Sequence, residues 1–236
     1  MYSWRARIGM IIPSTNAVAE PQVQMMSPEG VVFHTTRLAF AGTSAENVRR
    51  FVAQSGEAAK LLADAGVDLL VFNCTAASMF RPGIDAEIVG IMTEATGVKS
   101  TTVSRGVVAA MRAVGARRVV ITSPYMTNER EASFLEHHQV SVLGEVGLKL
   151  APSEFPKIEP GRWYRQVRDQ ADPEADAYFL SCTAVRTAEV IEPLERDLGK
   201  PVVTSNQAMV WHCLKELGVR TGVAGYGRLF ETLGEA

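Results

Sequence analysis

The stretch Asp68-Leu-Leu-Val-Phe-Asn-Cys-Thr-Ala-Ala-Ser78 recurs in part as Ala175-Asp-Ala-Tyr-Phe-Leu-Ser-Cys-Thr-Ala184. In each copy an acidic residue precedes a short apolar run rich in β-forming side chains, and the run stops at a small or amide residue before Cys-Thr-Ala. Such a run reads as a buried strand of a parallel sheet, which places Cys74 and Cys182 just past the carboxyl ends of two strands. Ligands gather at that edge of open α/β sheets, because its loops carry polar groups while the strands stay packed.

Two further landmarks repeat in the same order. Arg7-Ile-Gly-Met-Ile-Ile-Pro-Ser-Thr-Asn16 is echoed by Arg118-Val-Val-Ile-Thr-Ser-Pro-Tyr-Met-Thr-Asn128, and Thr102-Val-Ser104 by Val203-Thr-Ser205, each opening an apolar helical stretch. The matched order predicts an α/β fold of two pseudo-twofold-related lobes, each a mostly parallel sheet flanked by helices, with the site in the cleft between them. The first lobe is expected over residues 1–116 and the second over 117–236, with the final helix able to pack back on the first lobe.

A chain of 236 residues, 47% hydrophobic and 21% charged, suits a packed globular protein. The net charge of -2 and the absence of a Lys/Arg run argue against nucleic acid. No apolar stretch approaches the ~20 residues that span a bilayer, which argues against a membrane partner. No signal-peptide pattern opens the chain, and three cysteines fit a reducing compartment, so the expected location is cytoplasmic. Apolar helix faces are compatible with a homo-oligomer.

In chain order, residues 6–12 read as a strand, and Asn16 precedes a helix that it would cap. Val31 to Leu38 reads as a second strand, and Ser44 as the cap of one long helix ending at Gly66. After the first cysteine strand come a helix introduced by Pro82-Gly83, a short strand from Lys99 to Val103 and a helix beginning at Ser104. The second half runs from a strand at Arg117–Ser123 through a helix and a strand-like Gln139–Leu150. Ala151 to Trp163, with three prolines, reads as an ordered loop or lid. A helix from about Thr187, a strand over Pro201–Thr204 and a helix capped by Ser205 complete the pattern.

A thiol acts as nucleophile or base only as thiolate, and Cys74 and Cys182 sit where helix and turn amides can face an anion. The functional reading is a thiol pair working on opposite faces of one small substrate. The alternative is two core-packing cysteines, and Cys213, inside the last helix among apolar residues, keeps that reading. Ser14, Thr15, Asn16, Thr75, Ser123, Tyr125 and Thr183 share the same predicted edge, where hydroxyls and amides suit a carboxylate; each also has an ordinary use as a cap or turn. No P-loop, Gly-x-Gly-x-x-Gly, His-Glu-x-x-His or Gly-x-Ser-x-Gly is present, and the four histidines are not spaced as metal ligands, so neither metal nor organic cofactor is expected.

Ile8-Gly-Met-Ile-Ile-Pro-Ser-Thr-Asn16, Asn73-Cys-Thr-Ala76, Ser181-Cys-Thr-Ala-Val-Arg-Thr187 and Gly199-Lys-Pro-Val-Val-Thr-Ser-Asn-Gln-Ala208 together resemble the Asp/Glu/hydantoin racemase superfamily, in the branch of maleate cis-trans isomerase and arylmalonate decarboxylase. The resemblance implies a cofactor-independent enzyme acting on a small carboxylic acid. Decarboxylases of the branch keep only the second cysteine, so the presence of both implies isomerisation or racemisation. By the same carry-over Cys74 is the nucleophile on an alkene carbon of maleate and Cys182 the proton donor. Asn16 and Tyr125 match carboxylate-binding residues, and Ser14, Thr75, Ala76 and Thr183 complete the expected binding set. The isomerases carry a further substrate-binding Asn in the segment matching Ala151–Pro156; this chain has none, and Ser153 is the residue available there. Rival expectations are an amino-acid or hydroxy-acid racemase, an arylmalonate-type decarboxylase and a non-catalytic carboxylate-binding protein.

Overall fold

The structure is a computed structural model that describes residues 3–234. Two four-stranded parallel sheets form its frame. The first runs in the order β2 (Val31–Leu38), β1 (Ala6–Pro13), β3 (Leu69–Phe72), β4 (Ser100–Thr102), and the second repeats that order as β6 (Ser141–Gly147), β5 (Arg118–Ser123), β7 (Ala177–Leu180), β8 (Val202–Thr204). The repeated acidic residue has a defined task in each sheet. The Asp68 carboxylate accepts the Arg7 N–H at 2.8 Å, and the Asp176 carboxylate accepts the Arg117 and Arg118 N–H groups at 3.0 and 2.8 Å. Each carboxylate thus locks the start of its strand to the start of the neighbour, fixing the register that carries the two cysteines to one edge.

Alternation along the strands divides the interior. Ile8, Met10, Ile12, Leu69 and Val71 of the first sheet, with Val119, Ile121, Ala177 and Phe179 of the second, enter one shared core. Ile11, Leu70 and Phe72 face an outer core beneath α2 (Ala45–Ala53), α3 (Ser55–Ala63) and α5 (Ile84–Thr96), the short α4 (Thr75–Ser78) lying between β3 and α5. Val120, Tyr178 and Leu180 face the opposite outer core with α8 (Pro160–Arg168) and α9 (Ile191–Leu198). The shared core is filled by α1 (Ala19–Met26), α6 (Val103–Ala113), α7 (Glu129–His137) and α10 (Ser205–Glu216), and α10 crosses back onto α6 and α1 of the first half.

Several local expectations change. The segment expected as one helix from Ser44 breaks at Gln54, where the Ser55 hydroxyl bonds the Val52 carbonyl. Thr204, not Ser205, caps α10, and the helix expected to begin at Ser104 begins at Val103 with Thr102 as its cap, the two threonine hydroxyls accepting the Gln207 and Arg105 N–H groups. Each helix starts as its strand ends, with no linker for a later cap. Most of the expected 151–163 loop is helical: Pro152–Lys157 forms a 3-10 turn and Pro160 opens α8, a first-turn position that suits proline. The helix expected from Thr187 begins as a 3-10 turn at Ala188–Val190 and becomes α9 at Ile191.

The α6–α10 crossing depends on Gly106, where a Cβ would sit 3.0 Å from the Ala208 carbonyl oxygen and 3.2 Å from His212 Cβ. Gly106→Val should cost roughly 1–3 kcal/mol of stability, read as a lower urea midpoint, reversing the usual helical advantage over glycine. A midpoint equal to or above that of the parent would show that the crossing tolerates a side chain.

Candidate active site

Both cysteines lie at the carboxyl edge of their sheets and both are 4% exposed. Cys74 follows β3 as the N-cap of α4 with relaxed extended backbone, and the Ala77 N–H points at its sulfur. Cys182 follows β7 with φ 121, a left-handed conformation that a residue with a Cβ rarely holds. Its sulfur accepts the Ala184 N–H at 3.3 Å and has the Tyr125 hydroxyl beside it, and its own N–H donates to Ser205 Oγ at 3.1 Å.

A buried hydrogen-bond web joins the two cysteine loops. Thr75 Oγ1 donates to Ser205 Oγ at 3.0 Å. Asn206 accepts from Asn73 Nδ2 at 3.3 Å and donates to the Thr183 carbonyl at 3.0 Å. Thr183 Oγ1 donates to the Asn73 carbonyl at 3.4 Å and accepts from Asn16 Nδ2 at 3.1 Å. Asn16 Oδ1 meanwhile accepts the Val18 and Ala19 N–H groups and so fastens the turn before α1, whose N-cap position is held by Val18 and not by Asn16 as expected, and leaves one Nδ2 hydrogen for another acceptor. Asn16, Cys74, Thr75, Cys182 and Thr183 are therefore one cluster, with the half-buried Tyr125 tied to it through Cys182.

Other expected residues take different places. Ser14 and Thr15 are exposed, and Ser14 is held through its backbone, its N–H to the Leu38 carbonyl at 2.7 Å. Arg37 binds the Ser14 and Asn16 carbonyls and pairs with Glu20, so its guanidinium serves the loop. Ala76 is half-buried beside Thr75. Ser123 accepts the Tyr125 N–H, a turn contact. Ser153 is exposed, and the side chain that its segment turns inward is Phe155, whose ring stands edge-on to Tyr125 at 5.9 Å. Gly147 permits the close pass of the Tyr125 loop, since a Cβ there would run into the Tyr125 carbonyl oxygen.

Ser205, Asn206 and Glu131 belong to this site although none of them is expected there from the sequence, in which Ser205 is only a repeat landmark and helix cap. Asn73, Ser205 and Asn206 stood within the family segments, but only the tertiary structure shows what they join. Glu131, in the first turn of α7 and 3% exposed, left no sequence signal beyond that of an acidic helix start.

Burial dominates the electrostatics. It pushes the Cys74 thiol up to about 12 against the help of the Ala77 amide, with the Cys182 and Glu131 charges adding to the rise. It pushes Cys182 up to about 11 against the Tyr125 hydroxyl and the Ala184 amide. Both thiols are neutral at pH 7 in the free protein. Burial also raises Tyr125 well above its ordinary value and lifts Glu131 to about 7. Among the described residues no group of three His, Cys, Asp or Glu is placed to hold a metal, and no helix is long and apolar enough to cross a membrane.

A family profile for arylmalonate decarboxylase matches residues 8–230. The chain belongs to the arylmalonate decarboxylase family. It is 29% identical to the arylmalonate decarboxylase of Bordetella bronchiseptica over 95% of this chain and 96% of that one. It is 26% identical to the maleate isomerase of Geobacillus stearothermophilus, over 94% and 96%. The fold matches that of the maleate cis-trans isomerase of Nocardia farcinica, in a variant with one cysteine changed to serine and a covalently bound succinylcysteine, with a TM-score of 0.87, 24% identity and coverage of 95% and 98%. These likenesses place the chain among enzymes and fit the two-lobed parallel architecture expected from its internal repeat.

The Glu131 carboxyl gives a test of the site's dryness. Its folded value, about 7, lies above the ordinary 4.5, so the fold favours the neutral acid; stability is fully present below about 4.5 and declines as pH rises to about 7. Glu131→Gln lacks that decline, and its stability relative to the parent should grow between pH 4 and pH 8 by up to about 3 kcal/mol. Parallel stability curves would show that Glu131 is not held in a dry environment.

Proposed function

We propose that the protein is a cofactor-independent cis-trans isomerase of maleate or a closely related unsaturated dicarboxylate. The reading is carried by the second thiol: Cys74 and Cys182 end matched strands, lie in one buried hydrogen-bonded cluster, and each raises or feels the charge of its neighbour. A decarboxylase that only delivers one proton needs one acid; a second thiol adds a nucleophile.

The neutral state of the pair dictates how the addition is balanced. Cys74 sulfur bonds to one alkene carbon as the Cys182 proton passes to the other, and the proton lost by Cys74 replaces the one Cys182 gave. The π bond breaks, one S–C and one C–H bond form, and no proton enters from outside. Rotation about the resulting single bond and reversal of the addition release the trans diacid. The free Nδ2 hydrogen of Asn16, the Tyr125 hydroxyl and the Thr75 and Thr183 loops hold the carboxylates, with Ala76 and the exposed Ser14 hydroxyl at the rim.

Arylmalonate-type decarboxylation is the second reading, favoured by the 29% identity to the Bordetella enzyme against 26% to the Geobacillus isomerase. A racemase would use the same two thiols to remove and return an α-proton.

Proton NMR of maleate in deuterated buffer separates these readings. Wild type should form fumarate, and Cys74→Ala and Cys182→Ala should each lower the rate by roughly a hundredfold or more. No conversion by wild type, together with carbon dioxide release from an arylmalonate or deuterium uptake at the α-carbon of an amino or hydroxy acid, would replace the isomerase with a decarboxylase or a racemase respectively.

A further inference from the structure

We propose that Ser205 and Asn206, the first two residues of α10, are positioning residues that hold the two thiols in register across the cleft. Ser205 Oγ receives two hydrogen bonds from opposite loops, the Cys182 N–H at 3.1 Å and the Thr75 hydroxyl at 3.0 Å. Asn206 makes a second crosslink one residue along, from Asn73 at 3.3 Å to the Thr183 carbonyl at 3.0 Å. The residues flanking both cysteines are thus fastened to the same helix end, and both fasteners are at most 1% exposed.

Two independent features distinguish this from ordinary packing. Cys182 holds φ 121, a conformation that persists only where its surroundings over-determine it, and Ser205 supplies the acceptor for its N–H. The internal repeat also supplies a control. Aligning the caps Thr102 and Thr204 sets Val103 opposite Ser205 and Ser104 opposite Asn206. Val103 has no side-chain hydrogen-bonding group, and Ser104 turns back to its own cap at 2.9 Å. The two helix starts share a backbone design, yet only the second reaches across, so the crosslink is an addition to the repeat and not a requirement for ending a strand in a helix. Cys74, with a relaxed backbone, is positioned through its neighbours, whereas Cys182 is held directly.

The proposal rests on the two-thiol reading but not on the substrate, and its test has one arm free of activity. Alkylation by iodoacetamide, followed by peptide mapping, gives the relative rates of Cys74 and Cys182. Ser205→Ala and Asn206→Asp should change that ratio by about tenfold or more, because a sulfur freed from its fixed orientation meets the reagent differently. In the isomerase assay, kcat should fall by roughly tenfold or more with KM changed less than about threefold, and Ser205→Thr, which keeps the acceptor oxygen, should recover most of the loss. Should Ser205→Ala not fold, Asn206→Asp and Ser205→Thr carry the comparison. An alkylation ratio unchanged in every folded variant overturns the proposal, as does a fall in activity that only follows the folded fraction. If wild type turns over no maleate, the alkylation arm still decides.

Discussion

Burial of two thiols in one interior is the constraint on which the proposed chemistry depends. Exposed cysteines would hold thiolate at modest cost, but in this site desolvation outweighs every local donor, and the pair stays protonated. Two neutral thiols can add S–H across a double bond without importing or exporting a proton. The same dryness strengthens the hydrogen bonds that orient them, since in a low-dielectric interior a polar group without a partner is costly.

The fold supplies the convergence. Parallel strands send their carboxyl ends to one edge, and repetition of the same strand order brings a second edge with a second cysteine. Asp68 and Asp176, far from the thiols, set the strand registers that decide where those edges lie. Gln22 adds a tie between the halves, accepting the Thr187 and Ala188 N–H groups from α1 at 3.2 and 2.8 Å. Arg130, on α7, donates to the Thr43 carbonyl at 2.9 Å and covers the Phe80 ring. The two halves are therefore tied on both sides by groups outside the thiol cluster.

Much of this was legible in the amino-acid order because strand burial is a local signal. Leu69–Phe72 and Ala177–Leu180 are apolar throughout and are buried at every position. The repeated acidic residue and the Cys-Thr-Ala endings marked equivalent points of two sheets, and Cys74, Cys182, Asn16, Thr75 and Thr183 do assemble. What local pattern could not give was direction. Ser14 has the right chemistry but lies exposed, while Phe155, not Ser153, turns toward Tyr125. Three prolines suggested a loop over a segment in which Pro160 starts a helix. Glu131, Ser205 and Asn206 acquire their roles only from tertiary neighbours, and no spacing rule announces a residue whose partners lie 23 to 133 positions away.

The central claim, that Cys74 forms the bond to carbon while Cys182 manages the proton, is tested most directly by mass analysis of the Cys182→Ser protein after incubation with maleate. Without Cys182 the Cys74 proton itself must pass to the neighbouring carbon, which still balances the addition but slows it and its reversal together, so over long incubation a succinyl group should accumulate on the peptide containing Cys74. An unmodified protein, or a succinyl group carried only by Cys213, would contradict the account.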